Sequence, residues 1–136
     1  MGALTQKRET PSRAGDLFSR GIAADTVIFA GALVCLSATG YAVPGSTATT
    51  LTADGIANDT VDNTGGANDD LQVPVERGVF RFANSAAADA ITRAEIGDNC
   101  YIVDDQTVAK TDGTASRSIA GKIEDVDAQG VWVRIG

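Results

Sequence analysis

A chain of 136 residues is long enough for one domain whose hydrophobic core needs no disulfide or metal staple. Apolar residues make up 43% of the chain and charged residues 21%, which excludes an intrinsically disordered protein. The net charge of −7 is unevenly spread, because the first 20 residues hold four basic and two acidic side chains and the remainder therefore carries −9. Since an acidic body repels phosphate, we expect no nucleic-acid partner.

Residues 1–20 are predicted to form an extended arm. The segment is polar, contains Pro11 and Gly15, and shows no sustained apolar period. It also lacks the long apolar stretch of a secretory signal, so we expect synthesis in a cytoplasm. The apolar run Val27–Leu36 is too short to span a bilayer, and we therefore expect no membrane partner.

Residues 21–136 are predicted to form one β-rich domain, a small β-barrel or sandwich. Short, β-branched apolar runs bounded by Gly or Pro recur along this part of the chain, as is typical of strands. Asp112-Gly113 predicts a hairpin between the runs Thr107–Ala109 and Ile119–Ile123. The exception to the β pattern is Ser85–Ile96, where alanines and a Thr92–Glu95 capping box predict one short helix.

Two stretches of the chain resemble each other at an offset of 66 residues. The offset aligns Gly31 with Gly97, Leu36 with Ile102, and Gly55 with Gly121. Both stretches read as a glycine, a strand, a turn, a strand and a glycine-containing strand. Three such matches can arise by chance; the alternative is a true repeat, which predicts a pseudo-duplicated barrel or sandwich.

The residues that catalysis and metal binding most often use are scarce. The chain has no histidine, which removes the commonest general base and metal ligand, and we predict that it is not an enzyme. Cys35 and Cys100 lie in apolar runs and read as core thiols, although a disulfide between them stays open. The Asp- and Asn-rich residues 54–70 favour turns that bond their own backbone over a calcium site. We expect no metal and no cofactor.

The last strand offers a candidate contact surface. In Val131–Ile135 a period of two places Val131, Val133 and Ile135 on one face, and Trp132 and Arg134 on the other. Trp and Arg are enriched in the energetically dominant parts of protein interfaces. Either Trp132 and Arg134 face outward to a partner, or Trp132 covers a second small core.

The order of elements from about Gly15 onward resembles the capsid-decorating head proteins of tailed bacteriophages. The resemblance is carried by Glu76–Phe80, Asp89–Asp98, Tyr101–Asp104, Ile119–Ile123 and Gly130–Ile135. It implies a compact β domain that trimerises at three-fold or quasi-three-fold sites on the capsid exterior and stabilises the shell, with the major capsid protein as partner. Such proteins typically grip the shell with a terminal arm.

On this basis we expect two groups of contact residues. The capsid-binding arm comprises Lys7, Arg8, Arg13, Leu17, Phe18 and Arg20, and the trimer interface comprises Phe80, Phe82, Trp132 and Arg134. The alternative is a phage tail or fibre domain, or a glycan-binding adhesion domain, which would need exposed aromatic side chains in a groove.

Overall fold

The computed structural model describes residues 2–136; Met1, the first residue of the predicted arm, lies outside them. Twelve strands and two single 3₁₀ turns occur in the described residues. The strands are β1 (Leu17–Gly21), β2 (Val27–Ile28), β3 (Leu33–Leu36), β4 (Ala42–Pro44), β5 (Thr52–Ala57), β6 (Val61–Asp62), β7 (Gln72–Glu76), β8 (Gly78–Asn84), β9 (Asn99–Ile102), β10 (Thr107–Ala109), β11 (Ile119–Asp127) and β12 (Gly130–Ile135). The predicted mainly β fold is confirmed.

Strands β8 to β12 close into a barrel, called here the C-terminal barrel. Their order is β10-β8-β12-β11-β9, and every pair is antiparallel except β8 with β10, which is parallel. Alternation along β12 sets its inner face: Val131, Val133 and Ile135 are at most 2% exposed, whereas Arg134 is exposed. The predicted core face of β12 is confirmed.

The remaining long strands form a five-stranded sheet, called here the N-terminal sheet, in the order β1-β7-β5-β3-β4. Its two edges meet at a parallel bridge between Ile22 and Ala42. This order repeats that of the C-terminal barrel strand by strand, since β10-β9-β11-β12-β8 occupy the places of β4-β3-β5-β7-β1. Strands β2 and β6 pair separately, as an addition to the N-terminal half.

The repeat holds at the level of single residues, which confirms the predicted duplication. Val34 pairs with Gly55, and 66 residues later Cys100 pairs with Gly121; in both halves the register shifts beside this pair. A side-chain Cβ at either glycine would lie 2.2 Å from a carbonyl oxygen of the next strand. Because any larger residue would push the strands apart, glycine is required at both positions.

The turns that precede β3 and β9 match as well. Gly31 and Gly97 adopt φ values of +86° and +96°, a region that glycine enters without strain. Their amides donate to the carbonyls of Ala57 and Ile123, at 2.8 and 2.9 Å, and these two acceptors are also 66 residues apart. The sequence signal of the repeat therefore corresponds to conserved turn and pairing geometry within one chain.

Strand β3 joins two hydrophobic cores because its side chains alternate. Val34 packs in the core of the N-terminal sheet, whereas Leu33 and Cys35 pack with the core of the C-terminal barrel. Cys100 lies in this second core too, both thiols are free, and burial raises the pKa of each to about 12. The two units thus share a strand and its buried side chains, which fixes one against the other.

Two predictions about single segments differ from the structure. The arm ends earlier than residue 20, because Leu17–Gly21 forms β1 and pairs antiparallel with β7. The predicted hairpin at Asp112-Gly113 does not form: β10 pairs with β8 and β9, not with β11.

The short helical segment predicted over Ser85–Ile96 consists of two single 3₁₀ turns, Ala87–Asp89 and Arg93–Glu95. The Thr92–Glu95 capping box is nevertheless present, with the Thr92 amide donating to a Glu95 carboxylate oxygen at 2.7 Å. Neither turn between residues 2 and 136 approaches the length of a membrane-crossing helix.

Candidate functional site

The predicted arm consists of an exposed segment and a strand. Residues 2–16 form no strand or helix, and each of them is exposed. Lys7 and Glu9 form an ion pair of 3.4 Å, but both side chains are 90% exposed, so the pair adds little to stability. At the root, the amide of Arg77 donates to the carbonyl of Asp16 at 2.8 Å, and β1 begins with the next residue. The exposed segment is therefore held at its carboxyl end by backbone pairing.

The three predicted arm residues that lie in β1 have different environments. Leu17 is 57% exposed, Phe18 is half-buried beside Val75, and Arg20 lies on the same strand face as Phe18. Arg20 lies opposite Val73, a fully buried core residue, so its side chain points toward the inside of the N-terminal sheet. An arginine in this position needs a buried counter-charge.

Asp54 supplies that charge, and it also binds a second arginine. The Asp54 carboxylate is 2% exposed and accepts hydrogen bonds from Arg20 at 2.6 and 3.0 Å and from Arg77 at 2.9 Å. Burial by itself would raise the pKa of Asp54, but the hydrogen bonds from the two guanidinium groups outweigh it and lower that pKa below its usual value. The same contact raises the pKa of Arg20. Arg20, Asp54 and Arg77 are called here the charged triad.

Three guanidinium groups surround the ring of Phe18. Arg77, Arg20 and Arg13 place their Cζ atoms 4.2, 4.6 and 5.1 Å from the ring centroid. These distances are typical of cation–π contacts, which favour guanidinium groups on an aromatic face. Arg13 belongs to the exposed segment, so the ring links this segment to the charged triad. Arg13, Arg20 and Arg77 around Phe18 are called here the arginine cluster.

The repeat identifies the residues of the C-terminal barrel that are equivalent to the charged triad. The pairing register aligns Arg20 with Phe82, because Phe18 opposite Val75 corresponds to Phe80 opposite Val133. The same register aligns Asp54 with Ala120 and Arg77 with Ile135. The three residues of the barrel are apolar and 2 to 5% exposed. The fold thus accepts an apolar trio where the N-terminal sheet has three charges.

The predicted trimer residues do not share one face. Phe82 is 5% exposed and lies in the barrel core, and Phe80 packs against that core. Phe80 and Phe82 therefore point inward along β8, on the face opposite to Trp132 and Arg134. The residue that neighbours Trp132 on the outer face is Arg81, its partner across the β8–β12 pair.

Trp132 is held by two neighbours on the outside of the barrel. Its indole nitrogen donates to Asp127 at 2.9 Å, and Arg81 lies 5.7 Å from its ring centroid. The indole hydrogen bond is the main reason that the pKa of Asp127 is lowered. Nearby, Arg134 contacts Glu124 at 3.2 Å and stays half exposed. The outward orientation of Trp132 and Arg134 is confirmed, which removes the second-core alternative.

Three Asp and Asn side chains between residues 55 and 70 bond the protein's own backbone. Asp62 accepts from the amide of Thr64 at 2.9 Å, Asp70 accepts from the amide of Ala67 at 2.9 Å, and Asn63 donates to two carbonyls. These contacts confirm the predicted turn chemistry. Among residues 2–136, no three His, Cys, Asp or Glu side chains converge as a metal site requires.

Sequence reasoning missed two members of the charged triad. Asp54 was grouped with the polar turn that follows it, and Arg77 was not singled out. The 66-residue offset of the repeat aligns Asp54 with Ala120 and so could have singled out Asp54. Arg77 corresponds to Ile135 only through the strand pairing, which the sequence does not show. A charge at a position whose counterpart is buried and apolar requires a partner.

No family model, no curated protein and no solved structure matches the chain significantly. Function has to be inferred from the residues and their arrangement.

Proposed function

We propose that the chain is a structural head protein that binds the exterior of a bacteriophage capsid and stabilises the shell. Its exposed basic segment would contact the major capsid protein, and the protein would assemble as a trimer at three-fold or quasi-three-fold sites. The observation that carries the proposal is the exposed segment 2–16, anchored at its root to a double β unit of opposite charge.

The charge distribution supports attachment through this segment. The exposed segment 2–16 holds Lys7, Arg8 and Arg13 against two acids, Glu9 and Asp16, for a net charge of +1, whereas residues 21–136 carry −9. An exposed basic segment is attracted to an acidic surface, and the repulsion of the acidic body from that surface orients the protein with the segment toward it. Many copies on a symmetric shell hold through modest single contacts, because each bound copy adds to the stability of the lattice.

The outer face of β12 supports a contact between copies. Trp132, Arg81 and Arg134 lie side by side there, and the first two are stacked. Aromatic and arginine side chains held in fixed geometry contribute strongly to interfaces because little side-chain entropy remains to be lost. A sugar ring would compete with Arg81 for the Trp132 face, so this arrangement favours a protein contact over glycan binding.

The decisive experiment mixes the purified protein with undecorated, expanded capsids and images the three-fold positions. We expect density there for the full chain, and none for a variant that lacks residues 1–14. Circular dichroism should show that the truncated protein keeps its β fold, because β1 and its pairing with β7 remain.

Two controls sharpen this test. The triple variant K7Q/R8Q/R13Q removes the charge but keeps the segment, and it should lose occupancy like the truncation. Glu9→Gln makes the same segment more positive instead of less positive, and this variant should bind capsids at least as well as the wild type. Full occupancy by the truncated protein would refute the role of the arm, and binding to host cells but not capsids would support the adhesion alternative.

A further inference from the structure

We propose that the arginine cluster is a binding site for a carboxylate side chain from an acidic segment of the partner protein. The inference deepens the proposed function, in that the partner is taken to be the capsid protein. It adds a second contact, at the root of the arm, to the contact of the exposed segment.

The cluster carries more positive charge than the protein neutralises. Three guanidinium groups meet at Phe18, and Asp54 is the carboxylate that binds two of them. Arg77 is one-third exposed and donates to Asp54 through Nη2, while its unpaired Nε–H is buried and closed to a ligand. Arg13 is exposed and donates no hydrogen bond within residues 2–136. Because each guanidinium group carries five N–H donors, the two groups that converge here leave donors for an anion.

The fold does not need charges at these positions. In the C-terminal barrel the matching residues are Phe82, Ala120 and Ile135, and they pack as ordinary core. Replacing a buried ion triad with apolar residues is commonly neutral or stabilising. We therefore infer that the charged triad serves a function other than stability. Arginine donors that have no acceptor within the protein can bind a ligand, so ligand binding is that function.

The chemistry of the site selects the ligand. Guanidinium forks bind carboxylates and phosphates in a bidentate manner. A nucleic acid would bring many phosphates against a body of net charge −9, so repulsion outside the cluster would oppose its binding. One or two carboxylates on a short loop meet the cluster without that penalty. We therefore assign the ligand to an acidic segment of a protein.

The repeat provides the test variant. R20F/D54A/R77I transfers the apolar trio of the C-terminal barrel into the N-terminal sheet, and it keeps the backbone bond between Arg77 and Asp16 that holds the arm. Arg93→Gln, on an exposed turn of the other unit, changes the net charge by the same amount and serves as the matched control. Denaturation in urea should show that both variants are folded.

Binding is measured in two ways: co-sedimentation with undecorated capsids, and fluorescence anisotropy with an octaglutamate peptide and an oligothymidylate of equal charge. We expect the trio variant to bind capsids about tenfold more weakly than the wild type, and Arg93→Gln to bind normally. The wild type should bind octaglutamate, and the trio variant should not. Wild-type affinity of the trio variant for capsids and peptide would overturn the inference.

The remaining outcomes separate the two proposals. Tighter binding to the oligothymidylate than to octaglutamate would overturn the choice of an acidic protein. Octaglutamate binding that depends on the charged triad, together with no binding to capsids, would refute the proposed function but support the site. Absence of wild-type binding to both capsids and peptide would overturn the site.

Discussion

Removing Asp54 should destabilise the protein much more than removing the whole charged triad. Asp54→Ala leaves the guanidinium groups of Arg20 and Arg77 facing each other, with side chains only 23% and 33% exposed and no shared acceptor. Breaking a buried ion pair costs about 3–5 kcal/mol, and the partial exposure of both arginines lowers our expectation to about 2–4 kcal/mol. R20F/D54A/R77I removes all three charges together and should stay within about 1 kcal/mol of the wild type.

Urea denaturation at neutral pH measures both free energies of unfolding. The comparison separates charge from volume, because both variants lose the same Asp54 carboxylate and only one keeps the arginines. Equal destabilisation of the two variants would refute the reasoning, since it would mean that packing volume, not unbalanced charge, dominates at this position.

The pH dependence gives an independent check of the same contact. The folded-state pKa of Asp54 lies below its ordinary value of 3.8, so the triad stabilises the fold above that value and this stabilisation is lost as the pH falls through the folded pKa. The wild type should have a higher free energy of unfolding than Asp54→Asn. This difference should reach its maximum at about pH 6 and should decrease below about pH 4. A difference that grows with acid would contradict the assignment.

Three further predictions concern other parts of the chain. Gly121→Ala should destabilise the fold by about 2–3 kcal/mol in urea denaturation, because the new methyl would meet a carbonyl oxygen of β12; an unchanged midpoint would be inconsistent with the close approach. Trp132→Ala should shift the proposed trimer to monomers in sedimentation velocity, whereas Ile119→Ser, at another exposed position, should not, and equal effects would argue against the β12 face. Cys35 and Cys100 should resist a thiol reagent in native protein at about pH 8 and react on unfolding, since burial raises the pKa of each thiol to about 12.

The sequence predicted the parts of the fold that depend on local signals. Glycine-bounded apolar runs located most strands, and the 66-residue offset of Gly55 and Gly121 identified the repeat before any pairing was known. Both signals depend on the geometry of a short piece of backbone. A glycine is needed wherever two backbones come too close for a Cβ, and the period of two along β12 predicts that Trp132 points outward.

Predictions that depended on distant pairing were the ones that differed. Asp112-Gly113 has the composition of a hairpin turn, but β10 bonds to the parallel strand β8 instead of its neighbour β11. Leu17–Gly21 is a strand only because β7 pairs with it, and its own charged and aromatic residues do not indicate that partner. The inward orientation of Phe80 and Phe82 could not be predicted because both faces of β8 carry large residues, so the strand by itself does not show which face is buried.

The differences between the two halves of the chain bear on its function. The two halves have the same strand order and the same register, but they differ at three equivalent interior positions. These positions hold apolar side chains in the C-terminal barrel and the charged triad in the N-terminal sheet. Since the barrel shows that the apolar solution folds, the desolvation of three charges is not required for folding. It occurs at the half from which the basic segment emerges, and Arg13 of that segment stacks on the same Phe18 ring as the triad's arginines. The half that carries the arm is therefore the half with buried charges that folding does not require, and this coincidence is the reason that we propose a binding role for it.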